Sequence, residues 1–193
     1  MRIYNRGTPR LNDFMNGTLP RIPLLAISAL ALAVWCNGCA SQEKLEPTDP
    51  SDQIKMGDNY SVGTWKVLQN PETATEWYRK AALQGDPEGQ YRLGLCYLRG
   101  IGVPKNEAIA VTWFTKAAQN GNAGGQLELG NCYRLAEGVG VDLPKAYIWY
   151  NLAAASGDQS ACQNRDALAR RLTEGEIREA QRKSQEFWNK TKG

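Results

Sequence analysis

Apolar and polar positions from about residue 70 onward follow a helical rhythm: Trp77, Ala81 and Ala82 share one face, and Leu93 and Tyr97 share another. The rhythm breaks at regular places. Gly85, Gly121 and Gly157 stand where a helix must end, because glycine adopts the left-handed conformation that closes one. Asp86, Asn122 and Asp158 follow at once, each able to cap the exposed amides of a new helix. A second series of caps, Asn70, Asn106 and Asp142, has the same period of 36 residues, and Pro71 and Pro87 suit first helical positions. Every unit therefore contains two helix starts, which predicts a helical hairpin.

The side chains between the caps repeat as well. Trp77-Tyr78-Arg79-Lys80-Ala81-Ala82 returns as Trp113-Phe114-Thr115-Lys116-Ala117-Ala118 and as Trp149-Tyr150-Asn151-Leu152-Ala153-Ala154. Leu93-Gly94-x-Cys96-Tyr97 matches Leu129-Gly130-x-Cys132-Tyr133, and Gly102-Val103 matches Gly138-Val139. Paired alanines let helices approach while the rings supply buried area. A degenerate first copy, Met56-Gly57-x-x-Tyr60-x-x-Gly63, is displaced by one residue before Asn70 returns to register. Repetition at such a period predicts an all-α, right-handed solenoid of antiparallel helix pairs over residues 53–172. Residues 158–172 then form a last first helix, and residues 173–193 a closing helix opened by a Thr173 and Glu176 capping box. Ile177, Ala180, Ser184 and Phe187 or Trp188 make an apolar stripe suited to cover the end of the core.

The pattern Leu93-Gly94-x-x-Tyr97-x-x-Gly100-x-Gly102-Val103-x-x-Asn106, continued by Ala110-x-x-Trp113-Phe114-x-Lys116-Ala117-Ala118-x-x-Gly121, resembles the Sel-1-like repeat family, a relative of the tetratricopeptide repeats. The next copy departs at Ala136, where the family has glycine. The resemblance implies a non-catalytic adaptor that binds another protein or peptide and uses no cofactor. Stacked hairpins curve into a concave surface lined by their first helices. Three positions there differ between otherwise similar copies and are the candidate partner face: Arg92 and Glu128, Leu95 and Asn131, Arg99 and Leu135.

Upstream, Leu24–Trp35 is a continuous apolar run of 12 residues, short of the roughly 20 needed to span a bilayer. With Arg21 before it and small residues after it, residues 1–38 have the dimensions of an export signal, for which Met15 is an alternative start. Cys36-Asn37-Gly38-Cys39-Ala40-Ser41 resembles a bacterial lipobox, which implies lipidation of Cys39 and a membrane anchor. Ala40 after the cysteine implies an outer-membrane lipoprotein facing the periplasm; ordinary cleavage would instead give a soluble periplasmic or secreted product. Residues 39–52 read as a polar tether with a reach on the order of 20 Å.

Composition narrows the chemistry. The chain has no histidine, which removes Ser-His-Asp and Cys-His catalytic designs and the commonest metal ligand. Removal of the first 38 residues takes away four arginines and one aspartate, leaving a charge-balanced chain without the basic footprint of a nucleic-acid binder. Metal binding is not expected either. Ser41-x-x-Lys44 formally satisfies the Ser-x-x-Lys motif of β-lactam-interacting serine enzymes, but lies in the tether without its companion motifs. Cys96, Cys132 and Cys162 read as small core residues, with disulfides permitted after export. An envelope spacer that self-associates or binds the cell wall is the alternative to an adaptor.

Overall fold

The computed structural model describes residues 46–64 and 68–192. The export segment, Cys39, the Ser41-x-x-Lys44 motif and the first part of the tether lie outside the described residues. Among the described residues there are eight helices and no strand: α1 Pro50–Val62, α2 Pro71–Leu83, α3 Pro87–Arg99, α4 Glu107–Gln119, α5 Ala123–Leu135, α6 Leu143–Ala155, α7 Gln159–Ala169 and α8 Glu174–Lys192. The fold is an all-α repeat solenoid of consecutive helix pairs.

Local chemistry sets the helix starts. Asn70, Asp86, Asn106, Asn122, Asp142 and Asp158 each accept a hydrogen bond from the backbone amide three residues on, at 2.7–3.0 Å. Each such cap contributes about 1 kcal/mol to its helix. α1 begins earlier than the expected boundary at residue 53, because Asp49 caps it and Pro50 occupies its first turn. Gln53 then donates to the Pro47 carbonyl at 2.9 Å, so the end of the expected tether belongs to the folded unit. The one-residue displacement of the first copy is absorbed between Gly63 and Asn70. Asn70 still donates its amide to the Tyr60 carbonyl, as Asn106 does to Tyr97 and Asp142 to Tyr133.

Each hairpin packs by setting a ring of its second helix on a glycine of its first. A Cβ on Gly57, Gly94 or Gly130 would lie 2.5–2.6 Å from Tyr78, Phe114 or Tyr150 respectively. Between hairpins the fit is equally close: a Cβ on Gly89 or Gly125 would stand 2.7 Å from the Cβ of Ala81 or Ala117. The resulting core is Leu93, Leu129, Phe114, Tyr150 and the buried alanines. The loops add a second joint, since Gly102 rests on the backbone of Pro71 and Gly138 on that of Glu107, at φ of 65° and 72°.

The carboxy-terminal end departs from this scheme. α7 stops at Ala169 rather than at residue 172, where a turn leads to Thr173, whose hydroxyl and amide exchange hydrogen bonds with Glu176. α8 packs chiefly along α6, the second helix of the pair before. Earlier second helices carry a lysine over the tryptophan ring, Lys80 on Trp77 and Lys116 on Trp113. α6 has the buried Leu152 in that place, and Phe187 of α8 meets Trp149 edge-on at 5.4 Å. Replacing a charged lid by an apolar side chain makes this face a docking surface within the chain. No helix among the described residues is long and apolar enough to cross a membrane.

Candidate functional site

The first helices of successive pairs, α1, α3 and α5, touch one another, whereas the second helices approach less closely. This brings the six variable positions named from the sequence onto neighbouring helices. With the one-residue displacement, α1 adds Lys55, Asp58 and Val62 in the same three rows.

The first row, Lys55, Arg92 and Glu128, is held by ion pairs and hydrogen bonds. Half-buried Arg92 contacts Glu88 at 2.7 Å on its own helix and Asp58 of α1 at 3.3 Å. Burial alone would lower the Arg92 guanidinium pKa, but the Glu88 and Asp58 carboxylates outweigh it and raise it. Glu88 also accepts from Asn122, the cap of α5, at 3.0 Å. One chain of polar contacts therefore ties α1, α3 and α5 together. Glu128 accepts from Asn131 at 3.1 Å. The sequence reading missed Asp58 and Glu88; Asp58 was visible once the displaced register is carried to the same row as Leu95 and Asn131.

The middle row has an internal explanation. Tyr78 donates its hydroxyl to Asp58 at 2.7 Å, and Tyr150 donates to Asn131 at 2.8 Å. At the equivalent place in the second hairpin the ring is Phe114, without a hydroxyl, and Leu95 packs against its cluster. The first-helix residue thus follows the polarity of the ring it faces, and variation at Leu95 and Asn131 matches the protein's own interior. Burial pushes the Tyr78 hydroxyl up to about 12 and raises that of Tyr150. Arg134 completes the group by donating to the Tyr150 oxygen at 3.0 Å.

The third row, Val62, Arg99 and Leu135, is the exposed one, with Val62 78% and Leu135 49% accessible. It changes from apolar to cationic to apolar along the stack. No lipid, metal or catalytic assignment arises from these side chains, which are suited to contact with a complementary surface. Cys96 and Cys132, one position beyond the middle row, are buried and unpaired, and Cys162 is half-buried and unpaired. Burial raises the Cys96 thiol and pushes that of Cys132 up to about 12.

The family profile described as Sel1 repeat matches residues 50–86, 87–122 and 123–158, one α1–α2-type pair each. A solved Sel1 repeat protein from Oxalobacter formigenes is similar at 30% identity and a TM-score of 0.60, over 73% of this chain and 57% of that one. The c5321 protein, a protective antigen of uropathogenic Escherichia coli with an SLR fold, is similar at 24% identity and a TM-score of 0.60, over 86% and 46%. Helicobacter pylori cysteine rich protein B shares the fold at 21% identity and a TM-score of 0.50, over 59% and 87%. This chain spans about half the length of the first two. No curated protein matches it significantly.

Proposed function

Because the chain belongs to the Sel1 repeat family, we propose that it is an exported, non-catalytic adaptor of the bacterial cell envelope, which holds a partner protein on the face of α1, α3 and α5. Sel1 repeats generally mediate protein–protein interaction and form non-catalytic scaffolds. The observation that carries the reading is a contrast within the repeats. Core positions recur almost unchanged, while the exposed row of Val62, Arg99 and Leu135 changes character from one repeat to the next. A row freed from internal packing yet presented by touching helices suits an extended peptide or a partner helix. Arg92 and Glu128 lie on the same helices two turns before that row.

Support for the address comes from the 12-residue apolar run and from Gly38-Cys39, the cleavage and lipidation pair. Lipidated at Cys39, the protein would stand on the outer membrane facing the periplasm. Incorporation of a labelled fatty acid, lost in Cys39→Ala, tests this; an unlabelled, released product would mean a soluble periplasmic or secreted protein. The adaptor reading is tested by photo-crosslinking in cells from positions 99 and 135, with exposed Leu83 on α2 as control. One discrete protein trapped from both sites and not from 83 supports it. Capture of only the chain itself, or of nothing, overturns it in favour of self-association or a spacer.

A further inference from the structure

One buried amide repeats through the stack. Gln53, Gln90 and Gln126 occupy equivalent places on α1, α3 and α5 and are all nearly inaccessible. In the first two hairpins the side-chain oxygen receives an amide from the residue that ends the second helix: Gln84 donates to Gln53 at 2.8 Å, and Asn120 donates to Gln90 at 3.0 Å. In the third hairpin that position is Ser156, which is too short and turns to the Leu152 carbonyl instead. Gln126 donates its Nε2 to the Ala118 carbonyl at 3.2 Å, which leaves Oε1 with no partner. Gln126 is only 3% exposed, and among the described residues this oxygen is the one buried side-chain acceptor left unsatisfied. An unmade bond of this kind is costly, which gives the site a reason to take a donor from outside.

The missing arm leaves space. Gln126 and Ser156 line an open cleft of about 450 Å³ together with Gln119, Asn120, Phe187 and Trp188. That volume is in the range of small-ligand sites, and the lining is mostly polar, with Phe187 and Trp188 as its apolar walls. We propose that this cleft binds a primary carboxamide, the Asn or Gln side chain of a partner protein, whose N–H groups complete the bond that Gln84 and Asn120 complete in the other hairpins. The ligand class follows from the repeat, because the same acceptor in the same setting is met by a carboxamide twice elsewhere in the molecule. A carboxylate of the same shape presents only acceptors and is rejected.

The test uses the full chain, labelled with ¹⁵N, titrated with N-acetylglutamine methylamide and with its glutamate and leucine counterparts. A ligand of this size is expected to bind at about millimolar Kd. The expected result is a saturable shift of the Gln126 side-chain amide and the Trp188 indole with the glutamine compound, and at least about 10-fold weaker binding of the other two. Ser156→Gln supplies the arm internally and should abolish the shift, while Ser156→Ala leaves the acceptor open and should retain it; Ser156→Asn replaces the first variant if that one folds poorly. Equal shifts from all three compounds, undiminished binding in the filled variant, or no saturable shift because water alone satisfies the oxygen, would each overturn the proposal.

Discussion

Ala136 ends α5 at φ 64° and ψ 32°, the left-handed conformation, and is the one non-glycine residue with positive φ among those described. The molecule contains its own reference, because Gly100 ends α3 at the equivalent position with φ 71° and ψ 39°. In both hairpins the amide of this residue and that of the next return to one carbonyl, Cys132 in α5 and Cys96 in α3. The geometry is thus imposed by the repeat, and Ala136 carries the strain of a Cβ in it, about 1–2 kcal/mol. Replacement by glycine removes that strain but adds about 0.5–1 kcal/mol of unfolded-state entropy. Taking the middle of both ranges, Ala136→Gly should therefore stabilise the protein by about 0.75 kcal/mol, raising Tm by about 1–3 °C for a domain of this size. Gly100→Ala should destabilise it by at least as much, since its Cβ would also stand 3.3 Å from the Lys105 Cβ. Urea unfolding followed by tryptophan fluorescence measures both, with the slope unchanged. A neutral or destabilising Ala136→Gly would refute the argument that the helix end, rather than the residue, dictates this backbone.

The remaining predictions address the core and its polar row. Gly94→Ala should cost about 1–3 kcal/mol by driving a methyl group into the Phe114 ring, and Phe114→Leu should recover part of the loss; equal costs in both backgrounds would show that the ring is not the obstacle. Tyr150→Phe and Asn131→Leu should each destabilise by about 1 kcal/mol or more, whereas the double variant, which reproduces the Phe114 and Leu95 pairing, should be far milder than their sum. Calorimetry on the four proteins gives the coupling, and strict additivity would contradict the proposed match. Stability should also fall in alkali. Folding raises the Cys132 thiol and the Tyr78 hydroxyl to about 12, so the unfolded chain ionises first. Their contribution is complete where both states hold their protons, below about pH 7.5 for the thiol and about pH 9 for the phenol, and is lost as pH rises toward 12, at up to about 1.4 kcal/mol per group per pH unit. Urea midpoints at pH 8 and 10.5 check this, and a Cys132→Ala variant should show a shallower decline.

Much of the architecture was legible because its signals are local. An Asp or Asn cap acts on an amide three residues away, and a positive-φ glycine ends a helix whatever lies beside it, so the starts and ends of α2 through α6 follow from residues 70–158 alone. The 36-residue period did the rest, since a unit that recurs must bury the same face in each copy. The candidate face was legible only as a set of variable positions. Variation by itself does not distinguish Leu95, which is matched to a ring inside the protein, from Leu135, which is exposed.

Tertiary structure decided what depends on contacts between helices far apart in the chain. The Tyr78 hydroxyl meets Asp58 across 20 residues, and Arg92 joins them from a third helix. α8 settles along α6 because Leu152 replaces a lysine lid, a substitution whose meaning appears only when Phe187 is seen against Trp149. Gln126 looks in sequence like its two counterparts, yet its acceptor is vacant because a residue 30 positions later is too short to reach it. The physical reason is the same in each case. Caps and turns are satisfied within a few residues, so the sequence alone determines them, whereas buried rings and amides are satisfied only by whichever groups the packed helices bring within hydrogen-bond or van der Waals range.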